Sequence, residues 1–239
     1  MAPRALVSRI DRLVICASPK ASCRSVADFA WEVAQRKQVR SPIGAQLLVF
    51  RNPLRRLVSA YLNKYVEHTK YRQASLQRCP EAQLDSFAAF LDELDRHGFR
   101  CVDRTHFHPQ IRRYRWRQFD RIFNSEDLQP LQEFINRLFD TAVAMPFRVR
   151  ADHPGVVRDR AATPDDTAAE APSGPLGHTP AAELRQLLAS GRSPGYRRFY
   201  DDELEAKARR IYRSDLRFLD RALQRRILSP ELHDRLSAL

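Results

Sequence analysis

Hydrophobic residues along this chain form short continuous runs separated by stretches with helical spacing. Leu13–Ala17 and Gln46–Phe50 are apolar almost throughout, which is typical of strands buried on both faces. Further strands are predicted at Phe119–Phe123 and, more weakly, at Val143–Val149. Because helical stretches alternate with these runs, the pattern predicts an α/β fold with a small parallel sheet flanked by helices.

Helices are predicted wherever apolar residues recur three and four positions apart. In chain order they are a helix that begins within Ser22–Ser25, then Pro53–Val66, Ser86–Gly98, one that begins at Ser125, Ala181–Ala189 and Asp202–Arg226. Asn52 is expected to cap the second helix, since an amide oxygen accepts first-turn N–H groups and Pro53 suits the first position.

The segment Ala151–Pro180 differs from the rest of the chain in composition. It is rich in Ala, Pro, Asp, Thr and Gly and has few large apolar residues, which predicts a mobile insertion and not a second domain. The length of 239 residues fits a single domain over residues 1–239, with a helix-rich C-terminal half.

The charge balance and the cysteines narrow the possible partners and location. With 41 Lys+Arg against 29 Asp+Glu the formal net charge is +12, which favours nucleic acid, an anionic membrane surface, or phosphorylated and sulfated small molecules. Cys16, Cys23, Cys79 and Cys101 show no CxxC spacing, so neither a zinc site nor a disulfide framework is expected. No run suits a signal peptide or a membrane span. These features favour a cytoplasmic location, with peripheral association at the inner face of the membrane left open.

The segment between the first strand and the first helix contains a lysine among small residues. Ser18-Pro19 ends the strand, and Lys20 precedes Ala21, Ser22 and Cys23. A strand, a tight loop and the free N–H groups of a following helix together suit a phosphate group. The glycine-rich G-x-x-x-x-G-K-[ST] loop is absent, so a phosphate site and an ordinary polar turn both stay open at this point.

The segment after the second strand is more specific. Residues 51–61, RNPLRRLVSAY, closely resemble the R-[DN]-P-x-x-R-x-x-S-x-[YF] motif of sulfotransferases, above all the Golgi carbohydrate sulfotransferases and their bacterial relatives. The resemblance implies that Arg51 and Ser59 hold the 3′-phosphate of the donor 3′-phosphoadenosine 5′-phosphosulfate (PAPS). Their separation of eight residues is a little over two helical turns, so both side chains can face one phosphate.

The lysine loop then matches the same family. Residues 18–25, SPKASCRS, resemble its P-K-x-[AG]-[SC]-x-[ST] loop, which wraps the 5′-phosphosulfate. By resemblance, Lys20 contacts the leaving phosphate, and the loop N–H groups with the Ser22 and Ser25 hydroxyls hold its oxygens. The donor-binding residues implied in this way are Lys20, Ala21, Ser22, Cys23, Arg24, Ser25, Arg51 and Ser59.

Weaker matches extend the resemblance to roughly residues 13–220. Residues 106–110, HFHPQ, are similar to the family's H-W-x-P-Q segment, and residues 119–122 with Glu126-Asp127-Leu128 are similar to its strand-then-E-x-L stretch. Residues 199–204 with Tyr212 and Asp215 resemble its C-terminal helix. The C-x-P-C pair that often follows the P-Q is absent, as is the membrane anchor of the Golgi enzymes. Both departures favour a bacterial, cytoplasmic version of the family.

The resemblance implies a P-loop-like fold and a PAPS-dependent enzyme that sulfates a hydroxyl of an acceptor, most simply a carbohydrate or glycoconjugate. Sulfuryl transfer by in-line displacement needs positioning and charge stabilisation, and no metal is expected. Lys20 and His106 are the expected catalytic residues, with His106 as the general base. The alternatives for the base are His68, His108, Glu67 and Glu32.

Other classes of protein remain alternatives to the sulfotransferase interpretation. A basic nucleic-acid-binding protein would explain the net charge but not the placing of Arg51 and Ser59, and the enzyme interpretation expects no nucleic-acid partner. A P-loop kinase would require a glycine-rich loop and magnesium-binding carboxylates. An inactive relative that binds the nucleotide without turnover would keep the same motifs.

Overall fold

The computed structural model describes residues 6–40, 43–114, 118–146, 175–191 and 194–238. Its contacts divide the chain into two compact units: residues 1–56, 108–148 and 212–239 form the first, and residues 57–107 and 149–211 form the second. Most of the insertion expected over 151–180 lies outside the described residues. The single domain expected from the length stays a prediction.

The first unit is built on a four-stranded sheet. Its strands are β1 (Leu6–Ile10), β2 (Leu13–Ala17), β3 (Gln46–Phe50) and β4 (Arg121–Asn124), in the spatial order β1-β2-β3-β4. Strands β2, β3 and β4 are parallel, as predicted, but β1 pairs antiparallel with β2. The parallel sheet was thus predicted correctly over β2, β3 and β4, and β1 adds an antiparallel edge strand that was not predicted. The sequence analysis missed β1 because the strand is short and half polar; Asp11, at φ 52°, makes the tight turn into β2.

Side chains along the central strands alternate between the two faces of the sheet, and both faces are buried. Ile15 of β2 and Leu47 of β3 lie on one face, which packs against the helices α1 (Cys23–Arg36) and α6 (Gln129–Phe139). Burial of this face and of the opposite one explains why the two strands are apolar almost throughout.

The opposite face of the sheet is covered by C-terminal helices. Cys16 and Leu48 point to this side and pack in one cluster with residues of α9 (Arg213–Gln224) and α10 (Pro230–Ser237). The first unit is thus a three-layer α/β arrangement, and the predicted α/β class, a small sheet flanked by helices, is confirmed.

The second unit is helical. Its described helices are α2 (Pro53–Tyr61, whose first turn belongs to the first unit), α3 (Thr69–Arg78), α4 (Phe87–His97), α5 (Arg104–Phe107), α7 (Ala181–Ala189) and α8 (Asp202–Ile211). A π-helical turn (Leu62–Glu67) and two 3₁₀ turns (Leu176–His178 and Tyr196–Phe199) lie between them. Its core is aromatic: the rings of Tyr61, Tyr65, Phe90 and Phe107 lie 4.8–6.1 Å apart between centroids.

Several predicted helix boundaries were correct. Asn52 caps α2 through its side-chain oxygen, which accepts from Leu54 N at 2.9 Å and Arg55 N at 3.0 Å. Ser86 caps α4 in the same way, and Gly98 ends that helix at φ 62°. Residues 181–189 form the predicted helix.

Other predicted boundaries were wrong. Helix α6 begins at Gln129 and not at Ser125, because Ser125 still bonds to the end of β3 through its N–H. The predicted helix over residues 202–226 is broken at Tyr212 into α8 and α9. Residues 143–146 are not a strand; residues 147–149 lie outside the described part of the chain.

The expectation that the chain has no disulfide was also wrong. Cys79, at the end of α3, is bonded to Cys101, 22 residues further along the chain. The wide spacing of this pair gave no CxxC signal, which is why the sequence did not reveal it. Neither Cys16 nor Cys23 takes part in a disulfide.

Candidate active site

The loop between β2 and α1 lies at the carboxyl end of the sheet. Its backbone turns sharply: Lys20 and Ser22 have positive φ values of 67° and 52°, and Ala21 N donates to Ser18 O at 3.0 Å. Positive φ is uncommon for residues other than glycine and marks a backbone held in place by its surroundings. Successive turns of this kind direct N–H groups into a concave surface that suits anions.

Helix α1 begins directly after this loop. The N–H groups of its first turn have no carbonyl partner within the helix and bring partial positive charge to the loop. Arg24 is exposed, whereas Ser25 is buried. Burial raises the pKa of the Cys23 thiol, so this side chain stays protonated near neutral pH.

Arg51 reaches this loop from the end of the neighbouring strand β3. Its Nη1 atom donates to the main-chain oxygen of Lys20 at 3.2 Å. Its Nε atom donates to Glu126 Oε1 at 3.1 Å, and Arg55 Nη1 donates to the other oxygen of Glu126 at 2.7 Å. The structure therefore brings together the two loops that the sequence analysis singled out, and it adds a carboxylate from the loop after β4.

The Ser22 hydroxyl is engaged with that third loop. It donates to Ser125 O at 2.9 Å, and Ser125 N in turn donates to Phe50 O at 2.9 Å. The segments after all three parallel strands are thus connected by hydrogen bonds. The phosphate-binding role expected for the Ser22 hydroxyl stays a prediction.

One buried amide joins the first two loops. Gln110 is 1% exposed; its Oε1 accepts from Ser18 Oγ at 3.0 Å and Arg51 N at 3.2 Å, while its Nε2 donates to Arg51 O at 2.8 Å. Asp215 of α9 accepts from Gln110 N and Ile111 N, both at 2.9 Å. Burial raises the pKa of Asp215, although these two N–H groups and the charge of Arg56 oppose that shift.

Arg56 holds the lysine loop in place through hydrogen bonds to main-chain oxygens. The side chain is fully buried and donates to Pro19 O at 3.0 Å and His108 O at 3.1 Å. Burial lowers the pKa of this guanidinium from its ordinary value. Gln110 and Arg56 stood in the family motifs, but nothing in the sequence indicated that both hold the lysine loop in place.

The remaining predicted residues lie in the second unit. Ser59 is partly buried in α2, two turns after Asn52. His106 is on the short helix α5, and its Nδ1 atom lies 2.5 Å from Asp103 Oδ2. Burial raises the pKa of Asp103, but the hydrogen bond and charge of His106 outweigh it, so the net pKa is below the ordinary value.

The described residues form neither a metal-binding group nor a membrane-spanning helix. Among the described residues, no group of three or more His, Cys, Asp and Glu side chains is arranged to hold a metal ion. Over the same residues, no helix combines the length and apolar character needed to cross a membrane.

Comparison with known proteins gives one match. A model of the sulfotransferase family matches residues 34–221. No curated protein and no solved structure matches the chain significantly. The matched range contains the Arg51–Tyr61 motif and the residues 106–110, whereas the lysine loop precedes it.

Proposed function

The chain belongs to the sulfotransferase family, and on this premise we propose that it transfers a sulfonate group from PAPS to a hydroxyl of a carbohydrate or glycoconjugate acceptor. PAPS supplies the sulfonate on its 5′-phosphate. In an in-line displacement the acceptor oxygen bonds to sulfur as the bond from sulfur to the phosphate oxygen breaks. The chain's residues therefore have to position groups and stabilise charge.

The contact between Arg51 and Lys20 carries this proposal. Two cationic side chains from the ends of adjacent parallel strands belong to loops that touch, with the Nη1 atom of Arg51 3.2 Å from Lys20 O. In parallel sheets ligands bind beyond these strand ends. Two cations and a turn with exposed N–H groups fit a nucleotide that carries phosphates at both its 3′ and 5′ positions.

Each residue then receives a chemical role. Lys20 would neutralise the phosphate that leaves, and the first turn of α1 would add N–H donors and the positive end of the helix dipole. Arg51, with Ser59, would hold the 3′-phosphate. The carboxylate of Glu126 keeps Arg51 and Arg55 in place through hydrogen bonds to both.

His106 is the proposed general base. Nδ1 of His106 lies 2.5 Å from Asp103 Oδ2. A carboxylate oxygen accepts, so this contact favours the tautomer in which Nδ1 carries the proton and donates it. Nε2 is then the basic nitrogen, suited to taking the proton of the acceptor hydroxyl. This arrangement of an acid and an imidazole supports His106 over the alternatives named above.

The disulfide changes the proposed location. The sequence favoured the cytoplasm because its cysteines suggested no bridge, but Cys79 and Cys101 are bonded to each other. Disulfides form and persist in oxidising compartments and are rare where glutathione keeps thiols reduced. We therefore propose that the protein folds in an oxidising compartment.

Calorimetry with 3′-phosphoadenosine 5′-phosphate (PAP), the product nucleotide, tests the function. We expect binding with a dissociation constant on the order of micromolar that is unchanged by EDTA. A basic nucleic-acid-binding protein would instead not bind PAP, and it would bind DNA with an affinity that falls steeply as the salt concentration rises. An inactive relative would bind PAP but give no acceptor that gains the mass of one sulfonate.

A further inference from the structure

Helix α9 and the two residues that follow it present a row of arginines to solvent. All five residues are exposed: Arg213, Arg217 and Arg221 on the helix, and Arg225 and Arg226 directly after it. The first four are spaced four positions apart, which places neighbours side by side on a helix surface. At the α-helical rise per residue, the row extends over about 18 Å. These five residues are referred to below as the α9 arginine row.

The described part of the chain offers these arginines no carboxylate partner. None of the five takes part in a salt bridge with another described residue. Asp220, the exposed carboxylate of the same helix, lies 3.0 Å from Nε2 of His233. Asp215 is fully buried and accepts from Gln110 N and Ile111 N. The row therefore presents five positive charges that no described side chain neutralises at close range.

Arginines elsewhere in the chain do have such partners. At the end of α8, Arg209 Nε lies 2.6 Å from Glu205 Oε1. Beside it, Arg210 Nη2 lies 2.6 Å from Asp95 Oδ2. The basic composition alone therefore does not account for the α9 arginine row, because another surface helix of the same chain pairs its arginines with carboxylates.

The α9 arginine row costs stability in three ways. Like charges four residues apart on a helix repel each other. The helix dipole disfavours Arg213 in the first turn, although it favours Arg221 near the other end. Arg226 has a φ of 58° and follows the helix where glycine is most common, because a side chain is strained there. Residues that weaken the fold in this way indicate a role in binding.

The row fits an anionic bilayer better than it fits nucleic acid. Clustered positive charge attracts anionic partners, and an extended row can meet several phosphates of a flat surface at once. Single-stranded nucleic acid would need aromatic side chains on which its bases stack. The exposed large apolar residues of the described chain are Val7, Trp31, Val39 and Ile43, and none of them belongs to α9 or α10. The oxidising compartment proposed above also favours a bilayer, since such compartments are bounded by membranes and hold little nucleic acid.

We propose that the α9 arginine row docks the protein on a bilayer surface that contains anionic phospholipids. Each guanidinium would pair with a lipid phosphate, which its planar group of donors suits. Because no exposed large apolar side chain accompanies the row, binding would be electrostatic and would not insert the helix into the hydrocarbon. The docking surface does not depend on the proposed sulfonate transfer.

Vesicle flotation tests the surface. We would measure partition of the full chain onto vesicles of phosphatidylcholine alone and of phosphatidylcholine with an equal amount of phosphatidylglycerol, at physiological ionic strength. The wild type is expected to prefer the anionic vesicles and to be released by added salt. The triple variant Arg213→Gln/Arg217→Gln/Arg221→Gln should bind them about a hundredfold more weakly, since each arginine near the surface contributes about fivefold. A wild type that does not bind the anionic vesicles overturns the proposal.

A second triple variant, Arg36→Gln/Arg121→Gln/Arg137→Gln, controls for net charge. It removes the same charge from the opposite side of the sheet, where α1 and α6 lie and Arg121 covers the Phe134 ring. Charges there lie farther from a bilayer on α9 than the Debye length of about 8 Å, so vesicle binding should change by less than about threefold. An equal loss in both triple variants would show that overall charge, and not the row, attracts the bilayer, and would overturn the proposal.

Two further measurements identify the partner. PAP affinity should be equal in the wild type and the α9 triple variant; a loss would place these arginines at the nucleotide and refute the docking surface. Binding of duplex DNA or heparin through the same arginines, with anionic vesicles left unbound, would also overturn the proposal. If the wild type fails to bind PAP, the sulfotransferase proposal falls, while vesicle binding still decides the docking surface.

The variant Arg226→Gly separates membrane binding from stability. Glycine adopts a positive φ without strain, so the urea midpoint is expected to stay the same or rise, while vesicle binding weakens by about fivefold. A clear fall in the midpoint with unchanged vesicle binding would show that this arginine stabilises the fold and would count against a docking role.

Discussion

Arg51 donates a hydrogen bond from Nη1 to the main-chain oxygen of Lys20 at 3.2 Å, so the loops after strands β2 and β3 are in direct contact. The same guanidinium is held on its other side by Glu126, which also binds Arg55. Arg51 is therefore positioned before any ligand arrives. Such preorganisation limits the conformational entropy that a bound nucleotide would have to offset.

The first prediction separates Arg51 from its neighbour Arg55. Arg51→Ala should weaken PAP binding by about tenfold to a hundredfold, the range for lost charge-assisted hydrogen bonds. Arg55→Ala, which removes the other partner of Glu126, should change the affinity by less than about threefold, since a partly exposed ion pair contributes little. Calorimetry on both variants measures this. An equal loss in the two would mean that general charge, and not Arg51, holds the nucleotide.

The second prediction distinguishes the proposed role of Lys20 at the leaving phosphate from the proposed role of His106 at the acceptor hydroxyl. Lys20→Ala should abolish sulfonate transfer because the leaving phosphate loses its cation. His106→Ala should slow transfer by about a hundredfold or more, as expected for loss of a general base, with PAP affinity unchanged. Single-turnover transfer and PAP calorimetry together measure both effects. Full activity of His106→Ala would require a different base.

The third prediction concerns Gln110. Gln110→Ala leaves Arg51 O and Arg51 N without their partner, and it should lower the free energy of unfolding by about 3 kcal/mol, because buried polar groups become unsatisfied. Gln129→Ala, at an exposed position, should change it by less than about 0.5 kcal/mol. Urea unfolding of both variants gives the comparison. A stable Gln110→Ala protein would show that the two loops are held by other contacts.

The fourth prediction is a pH dependence from Asp103. Its pKa in the folded protein lies below the ordinary value of 3.8, so the charged form is favoured by folding. This stability is present above the ordinary pKa and is lost as the pH falls through the lower, folded value. The difference in stability between the wild type and Asp103→Asn should therefore shrink below about pH 4. Urea midpoints between about pH 3 and pH 7 test it, and a constant difference would contradict the shift.

The fifth prediction concerns the bond between Cys79 and Cys101. Under denaturing conditions without reductant, alkylation should label only Cys16 and Cys23, and reductant should expose the other two thiols. Replacing Cys79 and Cys101 by alanine should lower the free energy of unfolding by about 3 kcal/mol. Cys23→Ala is the control, since its thiol forms no bridge. Four labelled cysteines in the unreduced protein would refute the disulfide and the proposed oxidising compartment.

The three parallel strands and most helices could be predicted because local pattern determines them, whereas the short, half-polar strand β1 gave no such pattern. Gln46–Phe50 is a strand over its full predicted length, and the cap at Asn52 lies where the side chain suggested. The wrong helix boundaries lie where contacts between distant residues determine the backbone. Ser125 N donates to Phe50 O and is not part of a helix. The helix break at Tyr212 could not be predicted because no proline or glycine lies there. The spacing of residues along the sequence does not reveal such contacts.

The site was predictable only in its charged residues. Lys20 and Arg51 stand next to strand ends, so their meeting follows from the parallel sheet. The roles of Gln110 and Asp215 do not follow, because they depend on hydrogen bonds between residues about 60 to 100 positions apart.

The hydrogen bonds around Gln110 all join residues of the first unit. Substitutions in the second unit leave every one of these donors and acceptors in the sequence. Libraries for directed evolution could therefore vary residues 57–107, with Ser59 and His106 kept, while the hydrogen bonds that hold the lysine loop and Arg51 stay in place.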